Sequence, residues 1–429
     1  MRVKMFLVMM MSCLFGLGLN AQTADSLTFV SSTFAGDFGD PTHMTLSPDG
    51  TYLAWTEARD GLCLHHFDDD STTCTPFPTI ADPDEDIDLR DHTALHWSPD
   101  SLMIAFTENW TQNFTESDLW LFDVASQTFA NRTNDGVSGS AIMLDQREQP
   151  YFLDALPTWN PATGDLVFFR YERTGRTYST ALYRIPRLGA SFAGVLQGDD
   201  GLAQGEPEFV AQFADLSALS VYDGSTFNLA GGATISPDGT QLAFLSRPAQ
   251  ADRAGIWLVD LQTGDITTPL DFESLQGIGL PEWHNAQIMF NGIAWINDNS
   301  LLISASPISA LENTINLMLY RYDITDEALT PMFDLSDVPQ TFTNDDDDSP
   351  RSVAFSDTSD TIFFFNFNRN TGRSELSALT IDDQTAITLH EIPIDTFQFT
   401  QMTQPTIGMS ERVLRVLIYG HLFEFAVDS

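Results

Sequence analysis

The stretch "ISPDGTQLAFLSR", Ile235 to Arg247, sets a Ser-Pro-Asp-Gly turn directly before a short apolar run. The chain makes the same turn into the same kind of run at Ser47, "LSPDGTYLAWTEAR", and at Ser98, "WSPDSLMIAFTEN". Weaker copies keep the frame: "WNPATGDLVFFRY" from Trp159, "AWINDNSLLISAS" from Ala294, "AFSDTSDTIFFFN" from Ala354 and "IGMSERVLRVLIYG" from Ile407. A self-similar unit recurring every ~50–75 residues marks a stacked or radial repeat and excludes most irregular folds.

Each unit repeats one inner grammar. A short strand such as "ALHWS" or "GGATIS" enters the turn. Proline presets φ there, and glycine takes the positive φ that closes a hairpin. The following run, "QLAFLS" or "TIFFFNF", lacks in-out alternation, so both of its faces must be covered. An amphipathic third strand follows, as in "GIWLVDLQTG", and then a weaker outer one, as in "DITTPL". Four antiparallel strands covered on both faces describe a propeller blade between two neighbours. The expectation is an all-β protein, a seven-bladed β-propeller with hardly any helix. Six blades are the alternative, because Gly189 to Phe227 is long and poorly patterned. The seventh unit ends one strand short, while "DSLTFVSS", Asp25 to Ser32, has no partner of its own. Pairing the two would seal the ring and remove two sheet edges.

The phrases "HWSPDSLMIAF" and "TISPDGTQLAF" resemble the repeat of TolB-type propellers, with "TLSPDGTYLAW" close and "TWNPATGDLVF" weaker. The resemblance runs through nearly the whole chain after residue 21. It implies a propeller of a kind that serves as a binding platform, as an accessory domain of peptidases, or as a lyase scaffold. Many such propellers have six blades, and the count of seven departs from that.

Charge narrows the partners. Sixty acidic residues face 19 basic ones, a net charge of −41, and Lys4 is the only lysine. Such a surface repels phosphate backbones and anionic lipid, which excludes nucleic acid and membrane surfaces as partners. Arg2 and Lys4 precede the apolar run "MFLVMMMSCLFGLGL", which is too short to span a bilayer comfortably, and small Ala21 follows. Residues 1–21 read as a secretory signal and 22–429 as one propeller domain, monomeric, periplasmic or extracellular, without an integral membrane segment. Lipidation at Cys13 is the rival, on a poor lipoprotein box. Beyond the leader only Cys63 and Cys74 remain. A hairpin centred on Asp68 and Asp69 sets them across from one another, and an oxidising compartment permits a disulfide.

Chemistry is sparse. No Gly-x-Ser-x-Gly elbow, phosphate-binding loop or dinucleotide fingerprint occurs, and no cofactor is expected. His65 and His66 adjoin a hairpin tip and read as surface residues. His92 and His96, four apart on one strand, share a face that would line the channel, where imidazoles hold a metal or move a proton. A metal site needs further ligands, and none is assigned. The acidic runs "DPDEDIDLRD" and "NDDDDS" lack calcium-loop spacing. Three Asn-x-Thr sequons, at Asn109, Asn113 and Asn131, matter only in a eukaryotic secretory pathway. The best binding candidates stand where loops enter the inner strands: Asp37, Asp40, His43, Arg90, Asp91, His92, Asp154 and Arg351. The leading reading is an exported, non-catalytic propeller that binds a protein or an envelope or extracellular ligand. A channel-sited, metal-assisted polysaccharide lyase is one alternative, and a structural module of a surface assembly is another.

Overall fold

The Ser-Pro-Asp-Gly turn is held by its own serine. Ser47 N donates to Tyr52 O and Gly50 N to Ser47 O, both at 2.9 Å. Tyr52 N donates to Ser47 Oγ at 2.9 Å, and that hydroxyl donates to Asp49 Oδ1 at 2.7 Å. Ser98 and Ser236 repeat the arrangement with Asp100 and Asp238. The fourth turn position has φ of 67° at Gly50, 59° at Ser101 and 75° at Gly239. A side chain at Gly50 would also collide with the last blade: its Cβ would lie 2.9 Å from Ser410 N. The motif recurs because it both reverses the chain and fits against a neighbouring turn.

The computed structural model describes residues 27–34, 42–57, 61–78, 80–81, 86–87, 95–107, 117–134, 151–174, 177–187, 207–213, 233–246, 255–271, 288–307, 318–334, 353–355, 361–368, 373–381, 385–393, 406–410, 412–418 and 420–427. Among these, every regular element is a β-strand, and seven four-stranded antiparallel sheets form the blades of a β-propeller. Blade 1 comprises Thr42–Leu46, Tyr52–Glu57, Gly61–His66 and Ser71–Thr75. Blades 2 to 6 begin at His96–Trp97, Tyr151–Trp159, Ala233–Ile235, Ile288–Asn297 and Val353–Phe355. First strands of successive blades touch at most of the seams, which makes them the inner strands. A two-stranded ladder, Ile80–Ala81 with Asp86–Ile87, lies within the acidic stretch after blade 1.

Middle strands are covered on both faces, as their composition requires: Met103–Thr107 and Leu119–Asp123 are buried throughout. Each seam has its own apolar cluster. Leu64, Trp97 and Phe106 fill the first, and Leu121, Trp159 and Phe168 the second. Leu182 meets Phe244 in the third, Leu258 meets Tyr322 in the fourth, and Leu302 meets Leu379 in the fifth. Phe363 meets Phe423 in the sixth, and Leu46 and Trp55 meet Leu417 in the seventh. The seventh cluster joins the last blade to the first, so the ring closes. Indoles add polar ties: Trp159 Nε1 donates to His96 O at 3.0 Å and Trp295 Nε1 to Thr234 O at 3.1 Å.

The N-terminal strand Leu27–Phe34 is the outer strand of blade 7. Leu27 faces Val427, and beyond a bulge after Phe29 the register runs from Ser31–Glu424 to Phe34–His421. Glu424 accepts from Ser31 Oγ at 2.6 Å and from Arg415 Nε at 2.9 Å. Arg415 Nη1 in turn donates to Gly50 O at 2.7 Å, and its guanidinium lies 3.9 Å over Phe67. One buried arginine therefore ties the closing strand, the last blade and the first turn. Cys63 and Cys74 face one another in register, with Cα atoms 4.0 Å apart and the sulfurs bonded. His65 departs from the surface position expected of it: it is 7% exposed and shares a 3.1 Å hydrogen bond with Thr72 Oγ1. The hairpin is centred on Asp68 and Asp69 as expected, with His66 facing Ser71, and His65 is buried with its strand neighbours Leu62 to Leu64.

Candidate functional site

Consecutive antiparallel strands send alternate connections to opposite ends of the ring, and the two ends differ. First-to-second-strand connections are all tight: the longest spans only residues 160–165. Several of the described ones are also bonded to a neighbour. Asp49 N donates to Ser101 Oγ at 3.2 Å, Asn160 Nδ2 to Gly239 O at 2.8 Å, Asp238 N to Asp298 Oδ1 at 2.9 Å and Met409 N to Pro48 O at 3.0 Å. Arg187 bonds Asp100 between blades 3 and 2. The one long connection at this end runs from Ile185 to Glu208.

At the other end, five connections enter inner strands over more than the ~12–15 residues beyond which a loop is usually functional. They run from Thr75 to His96, Asn131 to Tyr151, Phe213 to Ala233, Asp271 to Ile288 and Asp334 to Val353. Asp37, Asp40, Arg90, Asp91, His92 and Arg351 belong to connections at this end and lie outside the described residues.

Two of the expected site residues are described, and both stand on inner strands. His43 adopts φ of 51°, and burial pushes its imidazole below the ordinary histidine range. Asp154 is fully buried, with Arg170 Nε and Nη2 each donating to one of its oxygens at 2.7 Å. The Arg170 guanidinium stacks 4.7 Å from Phe152, 5.4 Å from Phe168 and 5.1 Å from Tyr183. Burial opposes its charge, but the bonds and field of Asp154, helped by Tyr183 and Asp118, raise its pKa overall. Buried Asp118 accepts from Asn131 Nδ2 at 2.7 Å, and Ser117 O accepts from Asp154 N at 2.9 Å. A polar network thus spans blades 2 and 3. Neither Arg170 nor Asp118 is singled out by sequence pattern, since each reads as an ordinary strand residue.

His96 sits near the turn end of its inner strand, with some solvent exposure but dense surroundings. Burial pushes its pKa down to about 4. His43 and His96 are therefore both neutral at neutral pH, the form that ligates metals and accepts protons. Among the described residues no three His, Cys, Asp or Glu side chains gather as a metal site, and no helix is long and apolar enough to cross a membrane.

Fold and inner-strand geometry define a seven-bladed β-propeller, and solved structures align with it over nearly its full length. An oligogalacturonate lyase in complex with manganese covers 94% of this chain and 97% of its own, at TM-score 0.52 and 12% identity. The oligogalacturonate lyase of Vibrio parahaemolyticus covers 94% and 98%, at 0.52 and 11%. Hydrazine synthase of Kuenenia stuttgartiensis covers 94% and 99%, at 0.50 and 12%. At such identities the likeness speaks for the fold alone. No family model matches the chain, and no curated protein does.

Proposed function

We propose that this protein is an exported, non-catalytic propeller that binds a protein or extracellular ligand at the end where the long connections gather. The observation that carries the reading is the inequality of the two ends. One is bonded turn to turn, and the other enters its inner strands through five long connections. Such loops on a rigid scaffold are the usual place for binding. The leader-like residues 1–21 support export, and the TolB-type turn phrases support a binding platform.

Arginine gives the ligand end its scarcest chemistry. In a chain of net charge −41, removing one acid changes the field little, while removing Arg90 or Arg351 removes a rare carboxylate partner. Arg90→Ala and Arg351→Ala should each weaken capture of native envelope or extracellular partners by about tenfold, the loss of one charge-assisted bond. Asp91→Ala should change it little. Pull-down with folded variants measures this, and equal capture by all three would count against the reading.

The likeness to two oligogalacturonate lyases favours a second reading, a channel-sited lyase using His92 and His96. Oligogalacturonate cleavage in the presence of manganese, abolished by His92→Ala, would replace the binding reading with that one.

A further inference from the structure

Blade 1 differs from the other six in what holds its outer strand. Elsewhere the outer strand presses an apolar side chain of its own into a seam: Phe129, Phe213, Ile266, Met332, Leu389 and Phe29 in blades 2 to 7. Ser71–Thr75 reads "STTCT", with four residues exposed and the fifth half-buried. Beyond its backbone ladder with Gly61–His66, its side chains make four ties among the described contacts. Three are single hydrogen bonds: Ser71 Oγ donating to Asp69 Oδ1 at 2.6 Å, His65 with Thr72 at 3.1 Å and Gln127 Nε2 donating to Thr73 Oγ1 at 2.9 Å. The fourth is the disulfide from Cys74 to Cys63.

That bond spans two environments. Cys63 is fully buried in the seam where the ring closes, in one cluster with Met44, Trp55 and Leu422. Cys74 is on the exposed strand. On either side the chain is fastened separately: Phe67 lies under Arg415, and Phe77 packs 5.4 Å from Phe129. The closing-strand ladder and the Arg415–Glu424–Gly50 ties do not involve Ser71–Thr75.

We propose that the Cys63–Cys74 disulfide is a redox-sensitive clasp: intact, it holds the outer strand of blade 1, and its reduction releases Ser71–Thr75 while the ring stays closed. The reductant is a dithiol. Its thiolate attacks the exposed Cys74 sulfur, the disulfide breaks, and Cys63 departs as a thiolate that takes up a proton. The second thiol of the reductant then attacks the mixed disulfide. Cys74 leaves as a thiol, and the reductant, having given two electrons, is left as a cyclic disulfide. An apolar seam favours the neutral Cys63 thiol, which slows its departure as a thiolate as well as the reverse attack. Release is bounded by Phe67 and Phe77, so it unpairs one strand and exposes the edge of Gly61–His66.

Hydrogen exchange of the oxidised protein and of the protein reduced by dithiothreitol, with reduction verified by thiol labelling, tests the clasp. Amides of Ser71–Thr75 should exchange at least tenfold faster after reduction. Those of Leu27–Phe34 and of Ile266–Asp271, the outer strand of blade 4, should not change. Unchanged protection of Ser71–Thr75, or loss of protection in all blades together, overturns the proposal. The variant C63V/C74V, which has no bond, should exchange Ser71–Thr75 as fast as the reduced parent in both buffers. Protection of that strand in the variant, or a further effect of dithiothreitol on it, would overturn the proposal as well.

Discussion

His96 carries a cost that appears only when the protein meets acid. Its folded pKa of about 4 lies below the ordinary 6.5, so the unfolded chain takes up a proton that the folded chain refuses. Its contribution is present in full above pH 6.5 and is lost as pH falls through about 4. A shift of this size corresponds to about 3 kcal/mol. His43, His65 and His390 are lowered by burial as well, so they act in the same direction. His96→Gln should therefore flatten the fall in melting temperature between pH 6.5 and 4. A variant whose pH profile parallels that of the parent would refute the assignment. Asp154 shows why sequence reasoning reached only half of this site. Counting back from the turn, where Trp159 faces Leu166 and Thr158 faces Val167, sets Ala155 against Arg170. A bulge between Ala155 and Thr158, with Leu156 at φ 52°, shifts the register by one and brings Asp154 there instead. A bulge leaves little trace in a single sequence.

Among the elements, the turn and the two strands after it were the most legible, because serine, aspartate and glycine fix the turn and an unbroken apolar run admits only a covered strand. Outer strands were the least legible. Blade 3 reaches its own, Glu208–Phe213, after a long detour from Ile185, and its partial alternation gives little to read. The closing strand was legible by elimination, since the last unit lacked a partner and residues near the start had none. Its role is testable by deletion. Without Leu27–Phe34, the third strand of blade 7 loses its ladder, and Glu424 and His390 lose Ser31 and the Phe29 ring stacked 3.7 Å away. Deletion should lower the melting temperature by several degrees, the effect of ~2–3 kcal/mol in a domain of this size, and promote association through the exposed edge. An unchanged melting temperature and a monodisperse sample would show that the strand is dispensable.

At the scale of the whole molecule, two forces oppose one another around the ring. Seven apolar clusters draw the blades together, while 60 acids against 19 basic residues push the surface apart. The described arginines do little to relieve this at long range. Arg170 and Arg415 are spent on Asp154 and Glu424 inside the fold, and Arg187 on one turn aspartate. Exposed Asp69 and Asp238 and half-buried Asp260 are held below the ordinary carboxylate range by neighbouring hydroxyl and backbone donors, so they stay charged well into acid. Repulsion among such groups reaches ~30 Å at 0.01 M salt and only ~3 Å at 1 M, whereas the apolar seams do not depend on screening. Sodium chloride should therefore raise the melting temperature, by a few degrees for each ~1–2 kcal/mol of repulsion relieved. Because screening depends on ionic strength and not on the cation, potassium chloride should act alike. Calcium chloride at matched ionic strength should therefore also act alike. A melting temperature that falls with salt would mean that local ion pairs outweigh the net charge. A rise confined to calcium would point instead to a specific cation site among the acids.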